Sequence, residues 1–246
     1  MDVQDELLTH VEGRALVITL NCPDKGNAAT DAMAGALARA LDSAHEQADF
    51  VLLHGAGEDF CMGRRAGGGG GPPAGPLEAL DARTRFDVVF DCYGAFRRAQ
   101  VPVVGIVRGR AHGFGAALAA LCDITIASDD ARFAVPEMRH RILPTMVASA
   151  FAGRVSPKGL LYMLYSTEEI DAERALAFGL VSEIASANAL DATVATLVER
   201  LLASPREALI GLKDFARVSA SMDHEAMVAY ARNLHATVNT SSSLRR

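Results

Sequence analysis

The chain has 246 residues, of which half are hydrophobic, and a net charge of −6 at pH 7. This size and apolar content suffice for one large hydrophobic core, and the acidic balance argues against a protein that wraps nucleic acid. No apolar run reaches the ~18 residues of a membrane span, and the start MDVQDELL lacks a basic signal-peptide region. We therefore expect a soluble, cytoplasmic protein. The four cysteines form no C-x-x-C pair, which predicts buried thiols rather than zinc ligands or disulfides.

Strands and helices alternate in the first part of the chain. Alternating apolar residues over 7–20, with Glu12-Gly13 between them, predict a β-hairpin. Thr30 or Asp31 can cap the helix that follows, and residues 50–54 are typical of a buried strand. This alternation favours a largely parallel sheet with crossover connections.

Five consecutive glycines, Gly67 to Gly71, precede two prolines and interrupt this pattern. Because glycine loses the most conformational entropy on ordering, we predict a mobile loop. No G-K-[ST] follows the glycines, so a phosphate-binding loop is not favoured. Helical spacing of apolar residues returns between 77 and 99.

The segment from Val101 to Ser128 predicts a strand, a glycine turn, a short helix and a second strand. The first strand covers Val103 to Val107, and the turn contains Gly113-Phe114-Gly115. A helix start leaves main-chain N–H groups unpaired, and its dipole favours negative charge. A developing oxyanion would be stabilised at this turn.

Two other enzyme classes use glycines in comparable positions. A dinucleotide-binding G-x-G-x-x-G requires a third glycine, where this chain has Leu118, and normally follows the first strand of a domain. A G-x-S-x-G nucleophile motif is absent from the sequence. Neither a nicotinamide-dependent oxidoreductase nor an α/β-hydrolase is favoured.

The second half is predicted to be mainly helical, with one short strand at 180–184. Residues 239–246 are predicted to form a disordered polar tail. The predicted helices cover Met146 to Arg154, Pro157 to Tyr165, a helix capped by Asp171 and ending at Gly179, Leu190 to Leu202, a helix capped by Ser204 and ending at Val218, and Met222 to Val238.

Two segments resemble the crotonase superfamily, which includes the enoyl-CoA hydratases and isomerases. Residues 57–64, GEDFCMGR, are similar to the family's Gly-x-x-x-Phe-[Ser/Cys/Ala]-Ala-Gly-x-Asp loop. Residues 109–123 are similar to its Gly-x-x-x-Gly-x-Gly segment leading to Ala-x-x-Cys-Asp. Asn27-Ala28 upstream, ARFAVPE at 131–137 and AERALAFGLV at 172–181 extend the resemblance over nearly the whole chain.

The resemblance implies an α/β fold, a crotonase-like ββα superhelix with a C-terminal helical trimerisation region. The core would comprise residues 1–190 and carry the acyl-CoA site, and residues 191–246 would form the helical region. The implied assembly is a homotrimer or a dimer of trimers.

The resemblance also implies an acyl-CoA thioester as substrate, whose carbonyl oxygen binds two main-chain N–H groups. By position these belong to Arg64 and Phe114. Coenzyme A would be part of the substrate, with no other cofactor and no metal. The residues implied to bind the coenzyme A ester are Lys25, Ala28, Met62, Arg64 and Gly113.

Hydratases of the family use two glutamates, and this chain retains only one of them. The first position is Ala117, and the second is Glu137. One carboxylate can move a proton between two carbons, so the resemblance best fits isomerisation of an enoyl-CoA double bond with Glu137 as proton shuttle. The alternatives are an enoyl-CoA hydratase or other enolate lyase or hydrolase with a substitute acid/base, for which His112 and His140 are candidates, and a non-catalytic acyl-CoA-binding protein.

The sequence departs from the family pattern at two further places. Arg65 replaces the usual aspartate, so Arg64-Arg65 could attract the coenzyme A phosphates or form a solvated charged loop. Residues 143–146, LPTM, replace the usual Pro-Gly-x-Gly-Gly turn and predict a reshaped acyl pocket. In the C-terminal helices, the resemblance implies that Lys213 or Phe215 lies near the coenzyme.

Overall fold

The computed structural model describes residues 3–65 and 78–244. The predicted mobile loop at 67–71 lies outside these residues. Strands of the described part are β1 (Leu7–Glu12), β2 (Ala15–Leu20), β3 (Phe50–Gly55), β4 (Val103–Val107), β5 (Arg110–His112), β6 (Ile124–Ser128), β7 (Arg132–Ala134), β8 (Ile170–Asp171) and β9 (Glu183–Ala185).

The helices lie between and after these strands. They are α1 (Val3–Glu6), α2 (Asp31–Asp42), α3 (Ala79–Thr84), α4 (Asp87–Arg98), α5 (Phe114–Leu121), α6 (Thr145–Phe151), α7 (Pro157–Ser166), α8 (Ala172–Phe178), α9 (Leu190–Ala203), α10 (Arg206–Ser219) and α11 (His224–Asn239). No helix of the described residues is both long and apolar enough to cross a membrane.

The main sheet has six strands in the order β1-β2-β3-β4-β6-β9. β1 and β2 form the predicted antiparallel hairpin, and the remaining neighbours are parallel. Helices α2, α4 and α5 cover one face and bury most of the hydrophobic core. The predicted largely parallel α/β sheet is confirmed.

A second, smaller sheet has the order β5-β7-β8. It pairs Ala111 with Phe133 and His112 with Ala134, in parallel. These strands have two or three residues each. They are too short for a periodic pattern, so the sequence does not predict them. The sheet positions two candidate site residues, because β5 leads into the turn at Gly113 and β7 leads to Glu137.

Several predicted boundaries were wrong. The helical region at 77–99 is divided into α3 and α4. Ser204 is not the N-cap of α10 but the C-cap of α9, because its hydroxyl donates to Arg200 O at 2.9 Å and α10 begins after Pro205. Residues 240–244 of the predicted disordered tail are placed, with Ser243 Oγ donating to Glu207 at 2.7 Å.

The C-terminal helices are tied to the core by buried polar contacts. Lys213 Nζ of α10 donates to Asp123 Oδ2 at 2.6 Å and to Phe96 O at 2.9 Å. Arg206, at the start of α10, pairs with Asp49 and donates to Ala48 O at 2.9 Å. The division into 1–190 and 191–246 stays a prediction.

The four cysteines are buried and free, as predicted. Burial raises the pKa of Cys61 and of Cys92 to about 12. These thiols therefore behave as small apolar side chains of the core.

Candidate active site

A cavity of about 260 Å³ lies between the 62–64 loop, α4, the start of α5 and the 136–147 segment. A larger hollow of about 340 Å³ between α10 and α11 contains no carboxylate, so size alone does not identify the site. The smaller cavity is lined by Met62, Gly63, Arg64, Tyr93, Gly113, Phe114, Pro136, Glu137, His140, Ile142, Met146 and Val147.

Main-chain pairing brings the two family-like segments together. Cys61 N donates to Arg110 O at 3.1 Å, and His112 N donates to Cys61 O at 2.9 Å. The contact is so close that a Cβ atom at Gly115 would lie 2.0 Å from Cys61 O. Only glycine permits this approach, which sets the 62–64 loop beside the first turn of α5.

Two main-chain N–H groups are available at this junction. Ala29 N donates to Gly63 O at 2.9 Å, and Arg65 N donates to Ala29 O at 3.0 Å, but within the described residues Arg64 N donates to no main-chain carbonyl. Phe114 is the first residue of α5, so its N–H has no acceptor within the helix. Both residues line the cavity, as an oxyanion-binding pair requires.

Glu137 follows β7 and begins a 3-10 helix, Glu137–His140. Its Oε1 atom lies near Gly113, and its buried Oε2 atom has no hydrogen-bond partner among the described residues. Burial raises the pKa of Glu137, although its own main-chain N–H and the charge of His140 oppose the shift. A half-buried, incompletely paired carboxyl group with a raised pKa is typical of an acid/base.

Ala117 occupies the position of the first family glutamate. It is fully buried in α5, and its N donates to Gly113 O at 3.0 Å. Ala117 does not line the cavity. Among the described lining residues, Glu137 is the only carboxylate.

The two candidate histidines differ in their surroundings. His112 Nε2 lies 3.0 Å from Glu169 Oε2, and burial lowers the pKa of His112. His112 is therefore engaged outside the cavity. His140 lines the cavity three residues after Glu137, where its charge favours the ionised form of that carboxyl.

The other predicted ligand-binding residues lie beside the loop. Met62 lines the cavity, and its N donates to Gly26 O at 2.8 Å. Lys25 is exposed, and Ala28 is half-buried. Ala28 is joined to the loop through Arg65 Nε, which donates to Ala28 O at 2.9 Å. Lys25 and Ala28 thus border the loop without lining the cavity.

Neither adjacent arginine is a free cation. Arg64 pairs with Asp31 and lies over the Phe86 ring, with its guanidinium carbon 5.4 Å from the ring centroid. Arg65 pairs with the buried Glu6. Both arginines thus form ion pairs with carboxylates that are distant in sequence. Attraction of the coenzyme A phosphates by Arg64-Arg65 stays a prediction.

Two further expectations concern the wall and the C-terminal helices. Met146, with Ile142 and Val147, forms the apolar wall where the family turn is replaced. Lys213 lies outside the cavity with Asp123, and Phe215 stacks on Tyr230 with centroids 6.3 Å apart.

Tyr93 lines the cavity, although no motif in the sequence marks it as a site residue. It is 5% exposed, and its ring stacks on Phe114 with centroids 5.6 Å apart. Burial, with a smaller effect of nearby acidic groups including Glu137, raises the pKa of Tyr93 and keeps its hydroxyl protonated. The helical spacing of apolar residues between 77 and 99 predicts only that Tyr93 lies in a helix.

Solved structures of the crotonase class share this fold. The crystal structure of enoyl-CoA hydratase from Mycobacterium smegmatis is similar with a TM-score of 0.88 and 28% identity, covering 97% of this chain and 93% of that one. A putative enoyl-CoA hydratase from Thermobifida fusca YX in complex with CoA has a TM-score of 0.82 and 26% identity, covering 95% and 92%. The fold is thus a crotonase fold.

The enoyl-CoA hydratase/isomerase family model matches residues 11–245. The chain belongs to this family and is a crotonase-type acyl-CoA enzyme. The probable enoyl-CoA hydratase EchA14 of Mycobacterium tuberculosis strain H37Rv is 30% identical over 230 residues, 88% of this chain and 83% of its own. The 1,2-epoxyphenylacetyl-CoA isomerase of Escherichia coli K12 is 30% identical over 207 residues, 81% and 77%.

Proposed function

We propose that the enzyme converts a 3-enoyl-CoA into the conjugated 2-enoyl-CoA, with Glu137 as the proton shuttle. The observation that carries the proposal is the single carboxylate among the described residues that line the cavity. Glu137 lies beside the oxyanion turn, while the first family glutamate position holds Ala117 inside α5. One acid/base group suffices to move a proton between two carbons, whereas the hydratases of the family use two such groups to add water.

In the proposed mechanism the thioester oxygen accepts hydrogen bonds from Arg64 N–H and Phe114 N–H. One such preorganised donor contributes roughly 3–4 kcal/mol of transition-state stabilisation. The carboxylate of Glu137 removes a proton from C2, the two amides stabilise the dienolate, and the carboxyl returns the proton at C4. The raised pKa of Glu137 strengthens it as a base and keeps the return step accessible near neutral pH.

Coenzyme A enters the proposal as part of the substrate, with no separate cofactor. Two Thermobifida fusca structures similar to this chain are complexes with CoA and with acetoacetyl-CoA. We assign Lys25, Ala28, Met62, Arg64 and Gly113 to binding of the ester, because these residues surround the loop or the turn. A homotrimer or a dimer of trimers, located in the cytoplasm, completes the proposal.

The second candidate is an enoyl-CoA hydratase with a substitute for the missing glutamate. Several relatives are named as hydratases. Tyr93 and His140 line the cavity, so the Tyr93 hydroxyl or the His140 ring is a candidate for the substitute group. The third candidate is an acyl-CoA-binding protein without catalysis. The unpaired Oε2 atom of Glu137 favours a catalytic role over this alternative.

The test compares the wild type with Glu137→Gln on a 3-enoyl-CoA and on a 2-enoyl-CoA, with products followed by chromatography and mass. We expect interconversion at constant mass and a decrease in kcat of about 10²–10⁴-fold in Glu137→Gln. Glu183→Gln removes the same charge at an exposed position of β9 and should retain full activity.

Other outcomes would redirect the proposal. A mass gain of one water on the 2-enoyl-CoA supports the hydratase, and loss of that activity in Tyr93→Phe or His140→Gln would identify its second group. Binding of both esters without turnover by the wild type supports the non-catalytic alternative.

A further inference from the structure

A basic pocket of about 260 Å³ lies at the other end of α5 from the cavity of Glu137. Gly113 precedes this helix and Asp123 follows it, and eight helical residues separate the two pockets by about 12 Å along the axis. We call it the basic pocket. It is lined by Arg97, Asp123, Ala152, Gly153, Arg154, Lys213, Ala216, Arg217 and Ala220.

Four cations from three parts of the chain converge there. Arg97 lies in the last turn of α4, Arg154 follows α6, and Lys213 and Arg217 lie one turn apart on α10. The chain as a whole carries a net charge of −6. A local concentration of positive charge is therefore a specific feature of this pocket and not a property of the general surface.

The carboxylates at the pocket do not balance these cations. Asp123 Oδ2 accepts from Lys213 Nζ at 2.6 Å and from Val103 N at 2.9 Å, while its Oδ1 lies 3.8 Å from Arg154 Nη1. Asp214 lies outside the lining and pairs with Arg217 at 2.5 Å. Among the described residues, Asp123 and Asp214 pair with three of the four cations, which leaves two positive charges in excess.

Arg97 is the least neutralised member of the group. Its Nη2 donates to Ser149 O at the long distance of 3.4 Å, and within the described residues no carboxylate forms an ion pair with it. Burial and the charge of Arg154 lower the pKa of Arg97. The two guanidinium groups therefore repel each other, and an anion between them would remove that repulsion.

The rest of the wall leaves room for such an anion. Ala152, Ala216 and Ala220 have small side chains, and a Cβ atom at Gly153 would meet nothing within 4 Å. Lys213 is 6% exposed and lies at the buried end, where its position is fixed by Asp123 and Phe96 O. Guanidinium groups match the geometry of phosphate oxygens in paired hydrogen bonds.

We propose that the basic pocket binds a phosphate group, held mainly by Arg97 and Arg154 over the fixed ammonium of Lys213. The two negative charges of a phosphate dianion match the two excess positive charges of the pocket. The pocket shares no lining residue with the cavity of Glu137. Its proposed ligand is therefore separate from the acyl group of the substrate, and the inference is independent of the proposed reaction.

The test measures binding of inorganic phosphate to the full chain by titration calorimetry. We expect saturable binding at one site per chain, competition by sulfate, and little competition by chloride, because chloride carries a single charge. In Arg97→Gln/Arg154→Gln the affinity should fall about tenfold or more. This variant keeps the Lys213–Asp123 ion pair and is expected to fold.

The matched control is Arg108→Gln/Arg132→Gln. Arg108 and Arg132 line another hollow, together with Gly57, Arg110 and Ser128 among others. The control variant loses the same two positive charges there, and it should bind phosphate as the wild type does. Absence of saturable binding overturns the proposal. Equal loss of affinity in both double variants also overturns it, since net charge alone would then explain the binding. A change in oligomeric state in Arg97→Gln/Arg154→Gln, with no phosphate binding by the wild type, would instead identify the pocket as a protein contact.

Discussion

The carboxyl group of Glu137 lies directly against the main chain of Gly113. A Cβ atom at position 113 would be only 2.6 Å from Glu137 Oε1 and 3.5 Å from its carboxyl carbon. Since Gly113 precedes the Phe114 amide, the proposed acid/base and one proposed oxyanion donor are packed against each other. We therefore expect that displacement of either group displaces the other.

Gly113→Ala should therefore inactivate the enzyme with a modest loss of stability. The new methyl group would push the carboxyl group away, and φ of +50° at Gly113 is unfavourable for alanine. We expect a kcat at least about 10²-fold lower and a free energy of unfolding lower by about 1–3 kcal/mol. Enoyl-CoA turnover and chemical denaturation measure the two effects.

Gly153→Ala is the control for backbone strain. Gly153 also has a positive φ of +75°, but a Cβ atom there would meet nothing within 4 Å. This variant should lose comparable stability while keeping its kcat. Equal activity losses in the two variants would show that strain, and not the contact with Glu137, limits catalysis.

The pH dependence of kcat/KM should report the raised pKa of Glu137. Proton removal requires the carboxylate, so activity should increase with pH through an apparent pKa above the ordinary glutamate value of about 4.3. In His140→Gln the positive charge that favours ionisation is absent. The apparent pKa of this variant should be higher still, and an unchanged or lower value would contradict the assignment.

Glu137 should also lower the stability of the protein at neutral pH. Its folded-state pKa is raised, so between its unfolded and folded pKa values the native state binds more protons than the unfolded state. Its contribution to the free energy of unfolding therefore falls as pH increases through this window. Glu137→Gln should be more stable than the wild type at pH 7, and the difference should disappear below the unfolded pKa. Urea denaturation at several pH values measures it.

Arg65 should matter for stability and not for substrate affinity. It pairs with Glu6, whose side chain is only 9% exposed, so Arg65→Ala leaves a buried carboxylate without its cation. We expect the free energy of unfolding of Arg65→Ala to fall by about 3 kcal/mol. Most of this loss should be recovered in Glu6→Gln/Arg65→Ala. The KM for the coenzyme A ester should be unchanged in Arg65→Ala. Arg139→Ala breaks an exposed ion pair with Glu168 and should cost less than about 1 kcal/mol. A KM increase confined to Arg65→Ala would indicate binding of the coenzyme.

Local patterns predicted the hairpin, the parallel sheet and the helix after Gly113, because these elements have periodic apolar residues or glycine turns. They did not predict the small sheet, whose strands are too short for a period. The position of Glu137 could be predicted from the motif, but its contact with Gly113 depends on the pairing of β5 with β7. The partners of Arg64 and Arg65, Asp31 and Glu6, are 33 and 59 residues away along the chain. Charge composition alone cannot assign such pairs.

The contacts of α10 with the core affect how the chain unfolds. Lys213 shares Asp123 with the first amide of β4, and Arg206 pairs with Asp49, the residue just before β3. Removing the C-terminal helices would leave both aspartates without these cations at the beginning of central strands. The core and the C-terminal helices should therefore denature together in a single cooperative transition, and a fragment ending at residue 190 should not be an autonomous folding unit.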